Sequence, residues 1–315
     1  MAVRVIEGDC GAALAALPPG GFQACVTSPP YFGLRDYGAA GQIGLEDTPA
    51  AYVARLVEVF RQVRRVLRPD GTLWLNLGDS YNTPNNRRDA SAYVDGGKTR
   101  LREQEPNRRA SQKYDHSIKP KDLLGMPWRV AFALQADGWF LRSAIVWAKP
   151  NPMPESVTDR PTSSYEHVFL LAARERYFYD AEAIAEPAEY PGDDRHNRTD
   201  ARKLSDPMCL DGGSRARTGN PTGDTRNARN VWTIATQPYA GAHFATMPPD
   251  LVERCILAGS RPGDAVLDPF GGAGTTGLVA DRLRRDATLI ELNTDYARLA
   301  RARITDDAPL FAEVA

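Results

Sequence analysis

Tyr52 to Leu67 repeats apolar residues at helical spacing, with Val53, Leu56, Val57, Phe60, Val63 and Leu67 marking one face. Thr72 to Leu77 is instead almost continuously apolar, the pattern of a parallel strand buried on both faces. Pro69-Asp70-Gly71 between them predicts a turn. The same reading predicts strands at Val3–Glu7, Ala24–Val26, Phe140–Trp147 and His167–Ala172. It predicts helices at Ala12–Leu17, Pro127–Ala136, Pro249–Leu257 and Asp295–Ile304. Strands alternating with helices imply an α/β fold with a doubly wound, mostly parallel sheet. Phe140–Trp147 and His167–Ala172 are expected to pair as an antiparallel extension of it. No internal repeat is visible.

Two places interrupt this pattern with chemistry. The Ala24–Val26 run stops at Thr27-Ser28-Pro29-Pro30-Tyr31. Two consecutive prolines lack N–H donors and have fixed φ, so they neither extend a sheet nor open a relaxed helix. They hold a rigid, carbonyl-rich corner beside the Ser28 hydroxyl and the Tyr31 ring, suited to a planar heterocycle carrying an exocyclic NH₂. A Pro-Pro turn with a core tyrosine would have the same sequence. Near the other end, Asp264–Asp268 runs as a buried strand into Pro269-Phe270-Gly271-Gly272-Ala273-Gly274-Thr275-Thr276-Gly277, and Leu278–Leu283 continues as a helix. Gly272, Gly274 and Gly277 match a dinucleotide fingerprint, and Glu291 ends the next apolar run, Ala287–Ile290, where an acid can bind ribose hydroxyls. That fingerprint fits NAD, FAD or S-adenosylmethionine.

Together the two motifs resemble the amino-methyltransferases of DNA, in which Asp-Pro-Phe-x-Gly-x-Gly is the cofactor loop and Ser-Pro-Pro-Tyr the catalytic loop. The catalytic motif comes first here, the order of the family's permuted beta group. Glu7-Gly8-Asp9-Cys10, Arg68–Asp79, Trp147–Pro154, His243–Pro248 and Glu291-Leu292-Asn293 extend the resemblance over most of the chain. The resemblance implies a Rossmann-like fold, S-adenosyl-L-methionine as cofactor and double-stranded DNA as partner. It makes Ser28 and Pro29 acceptors for the target amino group, Pro30 the loop rigidifier and Tyr31 the stacking face. It assigns Asp9 to the cofactor adenine, Phe270, Gly272 and Gly274 to its methionine portion, Glu291 to its ribose, and Gly271 to the same cofactor site. His243 and Thr246 stand near the cofactor carboxylate or cap a helix, and Asp268 is a cofactor contact or a turn-stabilising carboxylate. Serine at the first motif position leans to cytosine N4 and aspartate to adenine N6, so N4-cytosine is favoured and N6-adenine is the alternative. A restriction endonuclease counterpart and a homodimer are both compatible with the resemblance.

A nicotinamide-dependent oxidoreductase would share the glycines but leave Ser28–Tyr31 unexplained. Methyltransferases of protein glutamine or RNA use Asn-Pro-Pro-Tyr and generally carry the cofactor motif first. A catalytically idle DNA-binding module would not need the proline corner.

The 315 residues carry 39 Lys/Arg against 40 Asp/Glu, a net charge of −1 that does not advertise nucleic-acid binding. Its distribution does. From Asn82 to Pro120 nine basic residues, Arg87, Arg88, Arg108 and Arg109 among them, face five acids. From Gly192 to Asn230 eight, including Arg215 and Arg217, face six. Both segments are rich in Asn, Gly, Ser and Pro and read as loops that order on a polyanion. The expected organisation is a catalytic half (1–81), a basic insertion (82–120), a sheet extension (121–185), a target-recognition region (186–230) and a cofactor half (231–315). Four cysteines without a Cys-x-x-Cys pair argue against a structural zinc or disulfide framework, and no metal is expected. Without a Pro-Cys dipeptide, ring-carbon methylation of cytosine lacks an evident nucleophile. No run of eighteen apolar residues appears and the N-terminus lacks a basic-then-apolar signal, so a cytoplasmic enzyme associated with DNA is expected, with no membrane partner.

Overall fold

The computed structural model describes residues 2–82, 92–95, 98–101, 117–188, 224–237, 246–307 and 313–314. They divide into two compact units, Met1–Tyr179 with Asn230–Ala315, and Asp180–Arg229.

The larger unit is built on a nine-stranded sheet. In chain order its strands are β1 (Ala2–Glu7), β2 (Phe22–Thr27), β3 (Leu67–Leu77), β6 (Phe140–Ala148), β7 (Tyr165–Ala172), β10 (Val231–Thr233), β11 (Ala265–Asp268), β12 (Asp286–Glu291) and β13 (Glu313–Val314). A separate hairpin joins β4 (Ala92–Asp95) to β5 (Lys98–Leu101). The order across the sheet is β10-β6-β7-β3-β2-β11-β12-β1-β13. Every neighbour pair is parallel except β3–β7 and β6–β7, so β7 alone runs backward. The predicted antiparallel extension is present, and β10 lengthens it.

Helices cover both faces: α1 (Cys10–Ala16), α2 (Pro49–Val66), α3 (Met126–Ala136), α4 (Pro249–Gly259), α5 (Thr275–Arg282) and α6 (Thr294–Asp307). Alternation along the central strands divides the core. Cys25, Leu73, Leu75 and Leu77 join the cluster formed by Leu56, Phe60 and Val63 of α2 with Val130 and Leu134 of α3. Ala24, Thr72 and Trp74 face α4 so closely that a Cβ on Gly259 would lie 2.6 Å from Trp74 Nε1. Trp74 also stacks between Tyr179 and Trp232, with centroids 6.4 and 6.3 Å away.

Two local expectations change. Pro69-Asp70-Gly71 does not end a helix-to-strand turn. Residues 68–71 bulge within β3, between the Phe22–Leu67 and Ala24–Thr72 pairs, where Gln23 donates to the Asp70 carbonyl. The strand therefore begins at Leu67, straight after α2. Helix α5 starts at Thr275, so Gly277 belongs to its first turn, where a Cβ would sit 2.8 Å from Leu289 and 3.0 Å from Ile304. That glycine permits close helix–strand packing.

In the smaller unit β8 (Glu186–Pro187) pairs antiparallel with β9 (Thr225–Arg226), and the Glu186 carboxylate accepts from Arg229 at 3.0 Å. Among the described residues no helix is long and apolar enough to cross a membrane.

Candidate active site

Strands β2 and β11 are neighbours with Cys25 opposite Leu267, so they leave the sheet at the same level. Ser28-Pro29-Pro30-Tyr31 follows one strand and Pro269-Phe270-Gly271-Gly272 the other. Segments about 240 residues apart in sequence thus become adjacent, at the carboxyl edge where such sheets bind ligands.

Asp268 ties the two loops together. Its side chain is 2% exposed and accepts from Thr27 Oγ1 at 2.6 Å, Thr276 Oγ1 at 2.7 Å and the Phe270 N–H at 3.0 Å. Burial pushes its carboxyl above the ordinary value, against the lowering by these three donors. Of the two readings of Asp268, the geometry supports the turn-stabilising one.

The glycines divide by role. Gly271 is pinned by its N–H to the Ile290 carbonyl at 2.8 Å, and a Cβ there would meet Leu289 at 3.0 Å. Gly274, at φ +78°, caps α5; a Cβ would stand 2.9 Å from Ala300 Cβ and 3.0 Å from Ala300 Cα. The absence of a side chain at Gly274 therefore makes room for α6. Gly272, at φ +50°, is the open one, with nothing nearer a Cβ than the Phe270 carbonyl at 3.9 Å.

Glu291, at the end of β12, holds this turn from the other side. Oε2 accepts from Gly272 N–H at 2.7 Å and Oε1 from Asn293 N–H at 2.8 Å. Burial raises its carboxyl above the ordinary value. Each oxygen retains a second lone pair. Asn293 Nδ2 reaches the Tyr37 carbonyl at 3.4 Å, and the Tyr37 and Tyr296 rings meet edge to face. The loop after Tyr31 thereby contacts the end of β12. Asp9 follows β1, where its Oδ1 caps α1 by accepting from Ala12 N–H at 2.9 Å. Thr246 is half-buried ahead of α4, whose N-cap is Pro248 rather than Thr246. His243, Arg87, Arg88, Arg108, Arg109, Arg215 and Arg217 lie outside the described residues.

The proline corner is anchored by a helix. Tyr52 of α2 donates its hydroxyl to the Pro30 carbonyl at 2.9 Å, and no described residue donates to the Pro29 carbonyl. The Tyr31 ring lies against Gly78, where a Cβ would come within 2.6 Å of Cε2. Its hydroxyl is 2.6 Å from Glu166 Oε2, 3.1 Å from Asn76 Oδ1 and 3.3 Å from Ser28 Oγ. Lys149 forms an ion pair with Glu166 and lies 4.4 Å from the Trp147 ring centroid. Asp79 accepts from the N–H groups of Ser80 and Met126, both at 2.9 Å, at the start of α3.

Sequence reasoning gave Asn76, Asp79, Lys149 and Glu166 no role. Three of them lie inside stretches it singled out. Glu166 directly precedes a predicted strand, and nothing local marks it. Among the described residues no group of three or more His, Cys, Asp or Glu could hold a metal ion.

Comparison with known proteins places the chain in a family. The family model described as DNA methylase, of the N6/N4 type, matches residues 22–302. The chain is 47% identical over 305 residues to the type II methyltransferase M.SmaI of Serratia marcescens, covering 96% of this chain and 90% of that protein. It is 47% identical over 302 residues to the type II methyltransferase M.XycI of Xanthomonas campestris pv. cyanopsidis, covering 95% and 87%. The fold is shared with the PvuII DNA methyltransferase (cytosine-N4-specific), at TM-score 0.62 and 18% identity over 97% of this chain and 92% of that one. It is also shared with a putative DNA modification methylase from Thermus thermophilus, TTHA0409, complexed with S-adenosyl-L-methionine, at TM-score 0.60 and 24% identity over 99% and 97%.

Proposed function

This chain belongs to the N6/N4 DNA methylase family, and from that premise we propose that it methylates N4 of cytosine in duplex DNA with S-adenosyl-L-methionine as donor. The observation that carries the reading is the Asp268 tie, which fixes the proline corner against the glycine turn.

The residues at the turn fit the cofactor. Gly272 leaves its backbone open to a ligand, and Glu291 is held by two N–H groups with lone pairs remaining for ribose hydroxyls. Phe270 and Gly271 border the same turn, and Asp9, with Thr246 and His243, completes the proposed set. Bound there, S-adenosylmethionine supplies an electrophilic methyl group on its sulfonium.

The exocyclic nitrogen of cytosine is a poor nucleophile because its lone pair is conjugated into the ring. Hydrogen bonds from that NH₂ to Ser28 Oγ and the Pro29 carbonyl favour a pyramidal nitrogen with its lone pair free for in-line attack. Positioning and electrostatics carry the acceleration. Tyr31 offers its ring to the base, which must leave the duplex stack at a cost of a few kcal/mol. Cytosine is preferred to adenine because Ser28 stands at the first motif position, a family-level association. The basic segments bearing Arg87, Arg88, Arg108 and Arg109, and Arg215 and Arg217 within Asp180–Arg229, supply phosphate contacts and target recognition. The kinship to type II methyltransferases supports a restriction endonuclease counterpart.

Incubation with duplex DNA and labelled cofactor, then digestion to nucleosides, tests this directly. The expected product is N4-methylcytosine within one sequence context. N6-methyladenine would overturn the base assignment, and unmodified DNA the whole reading.

A further inference from the structure

A serine hydroxyl both donates and accepts hydrogen bonds, whereas an amino group being deprived of its conjugated lone pair needs an acceptor. Ser28 serves that purpose only if its own proton points elsewhere. We propose that Glu166 is a positioning residue that sets the direction of the hydrogen bonds at Ser28, so that the hydroxyl meets the target amino group as an acceptor. This rests on the function proposed above.

The argument follows the protons. Tyr31 has one, and its closest partner is Glu166 Oε2 at 2.6 Å. An ion-paired carboxylate accepts and cannot donate, so the Tyr31 proton goes to Glu166. Asn76 is orientated consistently: its Nδ2 donates to Glu166 Oε2 at 3.0 Å and to the His167 carbonyl at 3.2 Å, which turns Oδ1, another acceptor, toward Tyr31. The lone pairs of the Tyr31 oxygen then remain for Ser28 Oγ, 3.3 Å away, which donates to them. Ser28 is left with lone pairs for the substrate. Lys149 holds the far oxygen of Glu166, and both side chains are largely buried, at 17% and 16% exposure, so solvent does not scramble the chain. Burial, reinforced by the neighbouring Glu166, raises the Tyr31 hydroxyl well above its ordinary value, and it keeps its proton near neutral pH.

The reversed direction of β7 makes this arrangement. Glu166 lies near the start of β7, opposite Trp147 near the end of β6. It therefore arrives at the edge where β2, β3 and β6 finish.

The test uses Glu166→Gln, which keeps shape but loses the acceptor-only charge, Tyr31→Phe, which keeps the ring but breaks the chain, and the double variant. Steady-state methylation, cofactor titration and thermal melting are measured on each. Each single change is expected to lower kcat by about 10- to 100-fold, the size of a lost hydrogen bond to a charged group. Cofactor affinity stays within about twofold, and the double variant falls no further than the worse single one, because both break one chain. A wild-type kcat in E166Q, or losses that multiply in the double variant, would overturn the proposal. Should E166Q fail to fold, Y31F decides alone, and a wild-type kcat there overturns it. If the wild-type protein methylates no amino group, the underlying function fails instead, so the two failures are distinguishable.

Discussion

Replacing Asp268 isolates the contact on which the site depends. In Asp268→Ala, Thr27 Oγ1, Thr276 Oγ1 and the Phe270 N–H lose their acceptor, and both threonines are essentially buried. Thr276 has a fallback, since its hydroxyl already lies 3.4 Å from the Val26 carbonyl. Two groups are then orphaned, at about 1–3 kcal/mol each, for a gross loss of about 2–6 kcal/mol. Part is recovered, because the carboxylate removed was itself desolvated. Its folded value is raised, so the Asp268 contribution to folding is full below the unfolded value and declines as pH climbs through the raised one, and removing the buried carboxyl relieves that penalty. A net destabilisation of about 3 kcal/mol is expected. Asp268→Asn should cost only about 1 kcal/mol. The amide oxygen still accepts from Thr27 and Phe270, while Thr276 can turn toward Val26 and accept from the amide nitrogen. Equilibrium urea unfolding at pH 7, with cofactor titration of each variant, measures both. An alanine variant within about 1 kcal/mol of wild type would refute the reasoning. Loss of cofactor affinity in the asparagine variant at unchanged stability would restore Asp268 as a cofactor contact.

Four further variants probe the same geometry. Ser28→Ala should keep cofactor affinity but lower kcat by about 100-fold or more in the labelled-DNA assay, since it removes an interaction to the reacting nitrogen; an unchanged rate would remove Ser28 from the mechanism. Gly274→Val should destabilise the fold by about 3 kcal/mol or more through positive φ and the clash with Ala300. Gly272→Ala should fold and lose cofactor affinity, and denaturation with calorimetric titration separates the two. Burial lowers the imidazole of His167, which stacks on Phe169, below its usual value of about 6.5. The folded state therefore binds fewer protons than the unfolded one, and the His167 contribution is lost as pH falls through the unfolded value toward the folded one. Thermal melts from about pH 7.5 to 5.5 should fall less steeply in His167→Phe.

Much of this was written locally. A short, leucine-rich, almost continuously apolar run such as Thr72–Leu77 has few alternatives to a central strand, and the helical spacing of Leu56, Phe60 and Val63 has few to an amphipathic helix. The loops were equally legible, because Pro29-Pro30 and Gly271–Gly274 constrain or free the backbone wherever they occur. Harder to see were the short strands. Val231–Thr233 and Glu313–Val314 are strands only because a sheet edge pairs with them.

Neighbouring residues alone dictate a set of elements and two chemically distinctive turns, since propensity, period and backbone freedom are local properties. They do not determine which glycine is left open, what Asp268 holds, or that Glu166 and Lys149 lie beside Tyr31. Those follow from strand order and direction. β2 lies beside β11, and one strand, β7, runs against its neighbours and carries a carboxylate to the edge where the others end. Only the packed sheet brings such distant residues within hydrogen-bond reach.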